Sequence, residues 1–142
     1  MMYTYKYPRP SLTVDAIILR KGTNELLLVR RGRSPYAGKW ALPGGFIEMD
    51  ELLADACRRE LEEETGLKIQ ELIQFKTYDA IDRDPRGRTI SVVFFGTADK
   101  GAVVKGGDDA EHAEWFSLDQ LPELAFDHDL VIREFLRDRG PR

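Results

Sequence analysis

Apolar residues recur at strand spacing near the start of the chain and at helical spacing in two later segments. SLTVDAIILR (11–20) is rich in β-formers, and its Ala16–Leu19 run reads as buried. KGTNE (21–25) is a turn and LLLVRR (26–31) a returning strand, so the two predict a hairpin. GRSPYAGKWALPGG (32–45) is dominated by Gly, Pro and polar residues, which predicts a long loop with a short strand near Trp40–Leu42. A helix is expected from Met49 or Asp50 to about Thr65, with Asp50 as its cap and Gly66 as its stop. One or two strands follow in 68–81, then the turn DRDPRGR (82–88), a strong strand TISVVFFGTAD (89–99) and a largely looped 100–112. AEWFSL (113–118) reads as a short strand, and 126–140 as a closing amphipathic helix with Val131, Phe135 and Leu136 on its apolar stripe. Tyr3, Tyr5 and Tyr7 alternate as on an extended edge. Nothing repeats and nothing resembles a linker. Residues 1–142 are therefore expected to form a single domain of layered α/β or α+β class.

Composition narrows the partners. The net charge of -4 argues against binding long nucleic acid, while local arginines can still receive a small anion. The lone Cys57 rules out an intrachain disulfide and reads as a small core residue. No apolar run approaches the roughly 18 residues of a membrane span, and the N-terminus lacks the apolar core of a signal peptide. The cytoplasm is the expected compartment.

The helix carries an electrostatic puzzle. Leu53, Ala56 and Glu60 lie on one side, with Glu63 and Glu64 flanking it, so the apolar face turns acidic in its last turns. The helix dipole disfavours carboxylates there, and like charges three and four residues apart repel. Arg58 and Glu62 lie opposite on a solvated face, and Asp55 is spaced to pair with Arg59. Two readings are open: glutamates that point to water, or a seat for a hard divalent cation, which takes carboxylates, waters and substrate phosphates together. Gly44 and Gly45 would let backbone approach that seat.

Gly45, then Glu51 after five residues, Arg59-Glu60-Leu61 after seven more, Glu63-Glu64 and Gly66-Leu67 reproduce the signature box of the Nudix hydrolases over 23 residues, 45–67. The chain resembles that family. The resemblance implies an α/β/α sandwich with a mixed central β-sheet and Mg²⁺- or Mn²⁺-dependent hydrolysis of a nucleoside diphosphate linked to another group. It implies Glu60, Glu63 and Glu64 as metal ligands, one of them also activating water. Arg59 would orient a carboxylate, Glu51 would support it, and the Gly44 carbonyl would be a further ligand.

Other candidates lie outside the box. Asp108, Asp109 and Glu111 precede the Trp115 strand, and Asp109 is the expected distal ligand or base, against the alternative of a surface turn. Arg30, Arg31 and Arg33 have forks that match phosphate geometry; otherwise they are solvated strand-end residues. Tyr36 and Trp40 are candidates for contact with a base, although Trp40 reads rather as packing; His128 is a candidate functional imidazole, against a capping or packing role that is favoured. DPRG (84–87) is foremost a turn, and the arginines in and beside it are candidates to reach a ligand.

YPRPSLTVDAII, RGRSPYAGKWALPGGF, RDPRGRTISVVFF and LAFDHD resemble a subgroup of ADP-ribose pyrophosphatases and the sensor domain of certain NAD-linked regulators. Hydrolysis of ADP-ribose to AMP and ribose 5-phosphate is the expected activity. A nucleoside triphosphate pyrophosphatase, including one for oxidised nucleotides, is the alternative enzyme. A non-catalytic ADP-ribose sensor is the alternative class; it is disfavoured because a winged helix has no room after residue 142. A homodimer is compatible with the Tyr-rich N-terminus.

Overall fold

Alternation along β1 (Ser11–Arg20) places its buried side chains on both faces of one sheet. The computed structural model describes residues 4–105 and 110–139. Val14, Ala16 and Ile18 pack with Leu27 and Val29 of β2 (Glu25–Arg31), Val92 and Phe94 of β6 (Thr89–Ala98), and Ala56, Cys57 and Leu61 of α1 (Leu53–Thr65). Ile17 faces the other way, with Leu26, Leu28 and Val93, against Val131, Ile132 and Phe135 of α2 (His128–Arg139). A strand covered on both faces reads as a continuous apolar run, as 16–19 does. The result is the expected α/β/α sandwich.

The remaining strands are β3 (Trp40–Ala41), β4 (Gly44–Phe46), β5 (Ile73–Tyr78) and β7 (Ala110–Ser117). The sheet order is β3-β2-β1-β6-β5, with β4 attached to β1 and β7 to β2. β1 runs parallel to β6 from Ser11↔Thr89 to Arg20↔Ala98. The other pairings are antiparallel, so the sheet is mixed.

The expected hairpin survives only at its root. β1 and β2 pair in register at Leu19↔Leu26, because the same edge of β1 is given to β4 over Thr13↔Phe46 to Asp15↔Gly44. Between them the Ala16 N–H donates to the Pro43 carbonyl at 2.9 Å. β1 therefore forks the sheet, and β2 turns to β7 and β3. β4 begins inside the segment expected to be loop, whose short strand near Trp40 is β3. β7 starts at Ala110, ahead of the expected 113, because pairing with β2 continues to Arg31↔Ala110.

The helix also begins later than expected. Leu52 is its extended N-cap and makes no side-chain cap bond, so Asp50 caps nothing. Instead Glu51 turns back, and its Oε1 accepts the Glu48 N–H at 2.8 Å. Gly66 ends the helix in the left-handed conformation (φ 81°), with its N–H bonded to the Glu62 carbonyl, as its position predicts. No helix among the described residues is long and apolar enough to cross a membrane.

Candidate active site

A cavity of about 480 Å³ opens at the fork of the sheet. Thr13 and Asp15 of β1 and residues 44–46 of β4 form its floor, and Arg59 and Glu60 of α1 form one wall.

Arg59 gathers the acidic helix end. Its Nε and Nη2 donate to Glu51 at 3.0 and 2.7 Å, and its Nη1 donates to Glu60 at 2.9 Å and Glu63 at 3.3 Å. Nη2 also reaches the Phe46 carbonyl at 3.2 Å, which ties the helix to β4. The hydrogen bonds to Arg59 hold the Glu51 carboxyl below the usual range. Reciprocally, Glu51 and then Glu60 raise the Arg59 guanidinium. The expected Asp55–Arg59 pair does not form, since Arg59 is engaged with Glu51, Glu60, Glu63 and the Phe46 carbonyl and lies 3.9 Å from Glu48; Asp55 pairs with Arg58 at 3.0 Å. Arg58 also donates to the Gln70 carbonyl at 2.9 Å, so its face is not simply solvated. A lysine offers a point charge in place of the planar fork and cannot reproduce this set. Arg59→Lys should lower kcat by about 10–100-fold, the usual cost of losing a group that orients ligands. Steady-state kinetics would check this, and an unchanged kcat would remove Arg59 from the machinery.

Glu64 is only 7% exposed, and its Oε1 accepts the Gly44 N–H at 3.0 Å. A Cβ on Gly45 would stand 2.6 Å from Glu60 Oε2, so glycine lets that carboxylate lie against the backbone. This donor set fits a hard divalent cation: it consists of carboxylate oxygens and a close backbone segment. The carboxylates are divided between Arg59 and Gly44, and among the described residues no three His, Cys, Asp or Glu side chains form a metal-sized cluster.

The opposite wall is cationic. Arg31 and Arg33 line the cavity, together with Arg83 and Arg86 of the turn after β5. Arg83 is buried and grips Asp127 with two bonds of 2.9 and 2.7 Å. Asp84 holds Arg86 through bonds of 3.1 and 2.8 Å. Burial alone would raise the Asp84 carboxyl, but the Arg86 side chain and backbone N–H outweigh it, and it lies below its ordinary value. Arg86 sits over the rings of Phe46 and Phe126 at 4.9 and 5.4 Å, and Arg31 sits over Phe126 at 5.0 Å. Phe126 itself has φ 53° and meets Tyr36, with φ 61°, edge-on at 4.9 Å. Two bulky residues in the left-handed region mark stored strain, which clusters at functional sites.

Arg30 donates to the Gly38 carbonyl at 3.2 Å and, like Tyr36, is not among the residues lining the cavity. Trp40 packs edge-on against Phe116 at 4.7 Å, as expected. Cys57 is a core residue whose burial pushes its thiol up to about 12. Asp108 and Asp109 lie outside the described residues.

Sequence reasoning missed a buried polar trio beneath the floor. The Ser91 Oγ–H donates a short bond to Asp15 Oδ2, and His128 Nε2 lies 3.8 Å from the same oxygen. His128 Nδ1 accepts the Leu42 N–H at 3.0 Å. The available signal was an acid inside the apolar run LTVDAIIL. Burial moves the His128 imidazole below its ordinary 6.5. The unfolded chain therefore takes up a proton near pH 6.5 while the native state resists. Stability is full above that value and falls as pH drops below it, by at most about 1.4 kcal/mol per pH unit for one proton. Urea unfolding from about pH 7.5 to 5.5 spans the window; an unchanged midpoint would contradict it.

A model of the NUDIX domain matches residues 9–138. The chain is 45% identical over 133 residues to an ADP-ribose pyrophosphatase of Methanocaldococcus jannaschii, covering 92% of this chain and 76% of that protein. It is similar to the solved NUDIX domain of Shewanella oneidensis NrtR complexed with ADP ribose, with a TM-score of 0.86 and 31% identity over 98% of this chain and 94% of that one. It is also similar to a bifunctional NMN adenylyltransferase/ADP ribose pyrophosphatase from Francisella tularensis complexed with AMP and a manganese ion, with a TM-score of 0.84 and 31% identity. That match covers 94% of this chain and 43% of the other. The chain spans 55% and 41% of the length of two further curated relatives.

Proposed function

The chain belongs to the Nudix family, and on that premise we propose that it hydrolyses ADP-ribose to AMP and ribose 5-phosphate with Mg²⁺ or Mn²⁺ as cofactor. The observation that supports this reading is the cavity itself, with Glu60 and Arg59 of α1 on one side and Arg31, Arg33, Arg83 and Arg86 on the other; Glu63 and Glu64 lie behind Glu60 on the same helix and do not line it. A diphosphate is protected from nucleophiles by its own negative charge, and a site of paired cationic character is what exposes its phosphorus. A bound divalent ion supplies charge neutralisation and an acidified water. Glu60, Glu63, Glu64 and the Gly44 carbonyl would hold it.

The chain's own groups do the rest. Arg31 and Arg33 bind phosphate oxygens, and Arg86 extends that wall from its seat on two rings. Glu60 accepts the water proton as oxygen bonds to phosphorus and the P–O–P bridge breaks, leaving one phosphate on each product. Arg59 keeps that carboxylate aimed at the cavity. Asp109 is the distal candidate for the same task. The net charge of -4 favours a small nucleotide over long nucleic acid, and we place the enzyme in the cytoplasm.

A Mg²⁺ assay against ADP-ribose, NADH, ADP-glucose, dinucleoside polyphosphates and nucleoside triphosphates tests the reading. ADP-ribose should be turned over best. Preference for triphosphates would replace the substrate, and stabilisation by ADP-ribose without metal-dependent product would replace catalysis with sensing.

A further inference from the structure

The segment Leu42–Pro43–Gly44 is held at successive points by different layers of the fold. The Leu42 N–H is bound by His128 of α2, the Pro43 carbonyl by Ala16 of β1, and the Gly44 N–H by Glu64 of α1. From the α2 side Leu42 packs with Val131, Ile132 and Phe135, and His128 adds the polar contacts, reaching the segment twice. Its Nδ1 takes the Leu42 N–H directly. Its Nε2 faces Asp15, whose Oδ1 would stand 2.4 Å from a Cβ on Gly44, so the carboxylate lies against that glycine. Ser91 fixes the Asp15 carboxylate from the third side.

We propose that His128 is a positioning residue, which through Leu42 and Asp15 sets the Gly44 backbone and the Glu64 carboxylate where a divalent cation is held. The inference rests on the functional reading above for the identity of the metal site. It assigns a task to the AFDH segment that neither the glutamates nor the arginines explain. The ring must be neutral, with its proton on Nε2, for Nδ1 to accept a hydrogen bond. Its burial is consistent with that form. Groups that orient ligands indirectly are worth about 10–100-fold in metal affinity or activity.

His128→Asn and His128→Gln form a matched test. The asparagine amide oxygen falls near the position of Nδ1 and can still accept the Leu42 N–H, whereas the glutamine amide reaches towards Nε2 instead. Mn²⁺ binding to the full chain would be titrated by electron paramagnetic resonance of the free ion, alongside kcat, KM and thermal unfolding. His128→Gln should weaken Mn²⁺ binding and lower kcat by about 10-fold or more, with KM for ADP-ribose within about threefold, while His128→Asn restores most of both. A folded His128→Gln chain that binds Mn²⁺ as the wild type does would overturn the proposal. If that variant does not fold, Asp15→Asn tests the other arm: weaker Mn²⁺ binding supports the role and unchanged binding overturns it. Wild-type protein that neither binds Mn²⁺ nor cleaves ADP-ribose would instead refute the functional reading, and this proposal with it. Wild-type activity beside an indifferent His128→Gln refutes the positioning role alone.

Discussion

Glu64→Gln is expected to abolish turnover while the protein remains folded. The amide keeps an oxygen for the Gly44 N–H, so the contact at 3.0 Å can persist. What disappears is the negative charge. On the proposed assignment a cation held by Glu60, Glu63 and Glu64 would lose one of three charged donors, and the amide nitrogen would present hydrogens where a lone pair is required. Loss of a ligand that organises both metal and nucleophile should reduce kcat by at least about 10³-fold. Circular dichroism and a melting curve would establish the fold, and product formation from ADP-ribose would be read under saturating Mg²⁺. Near-normal turnover would take Glu64 out of the metal site.

The second large effect is on the fold. A Cβ on Gly44 would stand 2.1 Å from the Val14 carbonyl oxygen and 2.9 Å from the Asp15 Cα, both backbone atoms of the strand it pairs with. Neither can swing aside, so relief requires β4 to leave β1. Gly44→Ala should therefore cost about 3 kcal/mol or more, the upper end for overpacking, and lower Tm by roughly 10 °C. Gly45→Ala makes an instructive contrast. The atoms nearest its Cβ would be those of the Glu60 carboxylate, the end of a flexible side chain able to rotate away. That variant should melt close to the wild type yet lose activity, because the displaced carboxylate belongs to the site. If Gly44→Ala melts with the wild type, the close pairing at Asp15↔Gly44 is not as described.

The helix that carries the candidate site is local in sequence, and that part of the fold was legible. Residues 45–67 contain the helix and its Gly66 stop, and helical spacing puts Glu60, Glu63 and Glu64 on adjoining turns, although among the described residues they form no metal-sized cluster. The strands of 11–20 and 89–99 were visible as apolar runs, but their parallel pairing was not, because register between distant segments leaves no local trace. Asp50 was mistaken for a cap: an acid ahead of a helix signals capping, yet the Glu48–Glu51 turn pushes the helix start to Leu53. The RDPR turn and the AFDH segment each looked self-contained. Arg83 and Asp127, 44 residues apart, join them, and that bond places Phe126 and His128 at the cavity. Asp15 lay in plain view as an acid within an apolar strand. Its partners came from β6 and α2, which no periodicity connects to it.

β1 meets β6 across a separation of 78 residues, from Ser11 to Thr89. During synthesis the whole of α1 is therefore made before the strand that pairs along β1 exists. Until then the apolar edge of β1 is open to any neighbouring chain. Contacts of such long range form slowly, because a large loop must close before any is made. A chain stopped before residue 89 would carry Glu60, Glu63 and Glu64 and still be an aggregation hazard without activity.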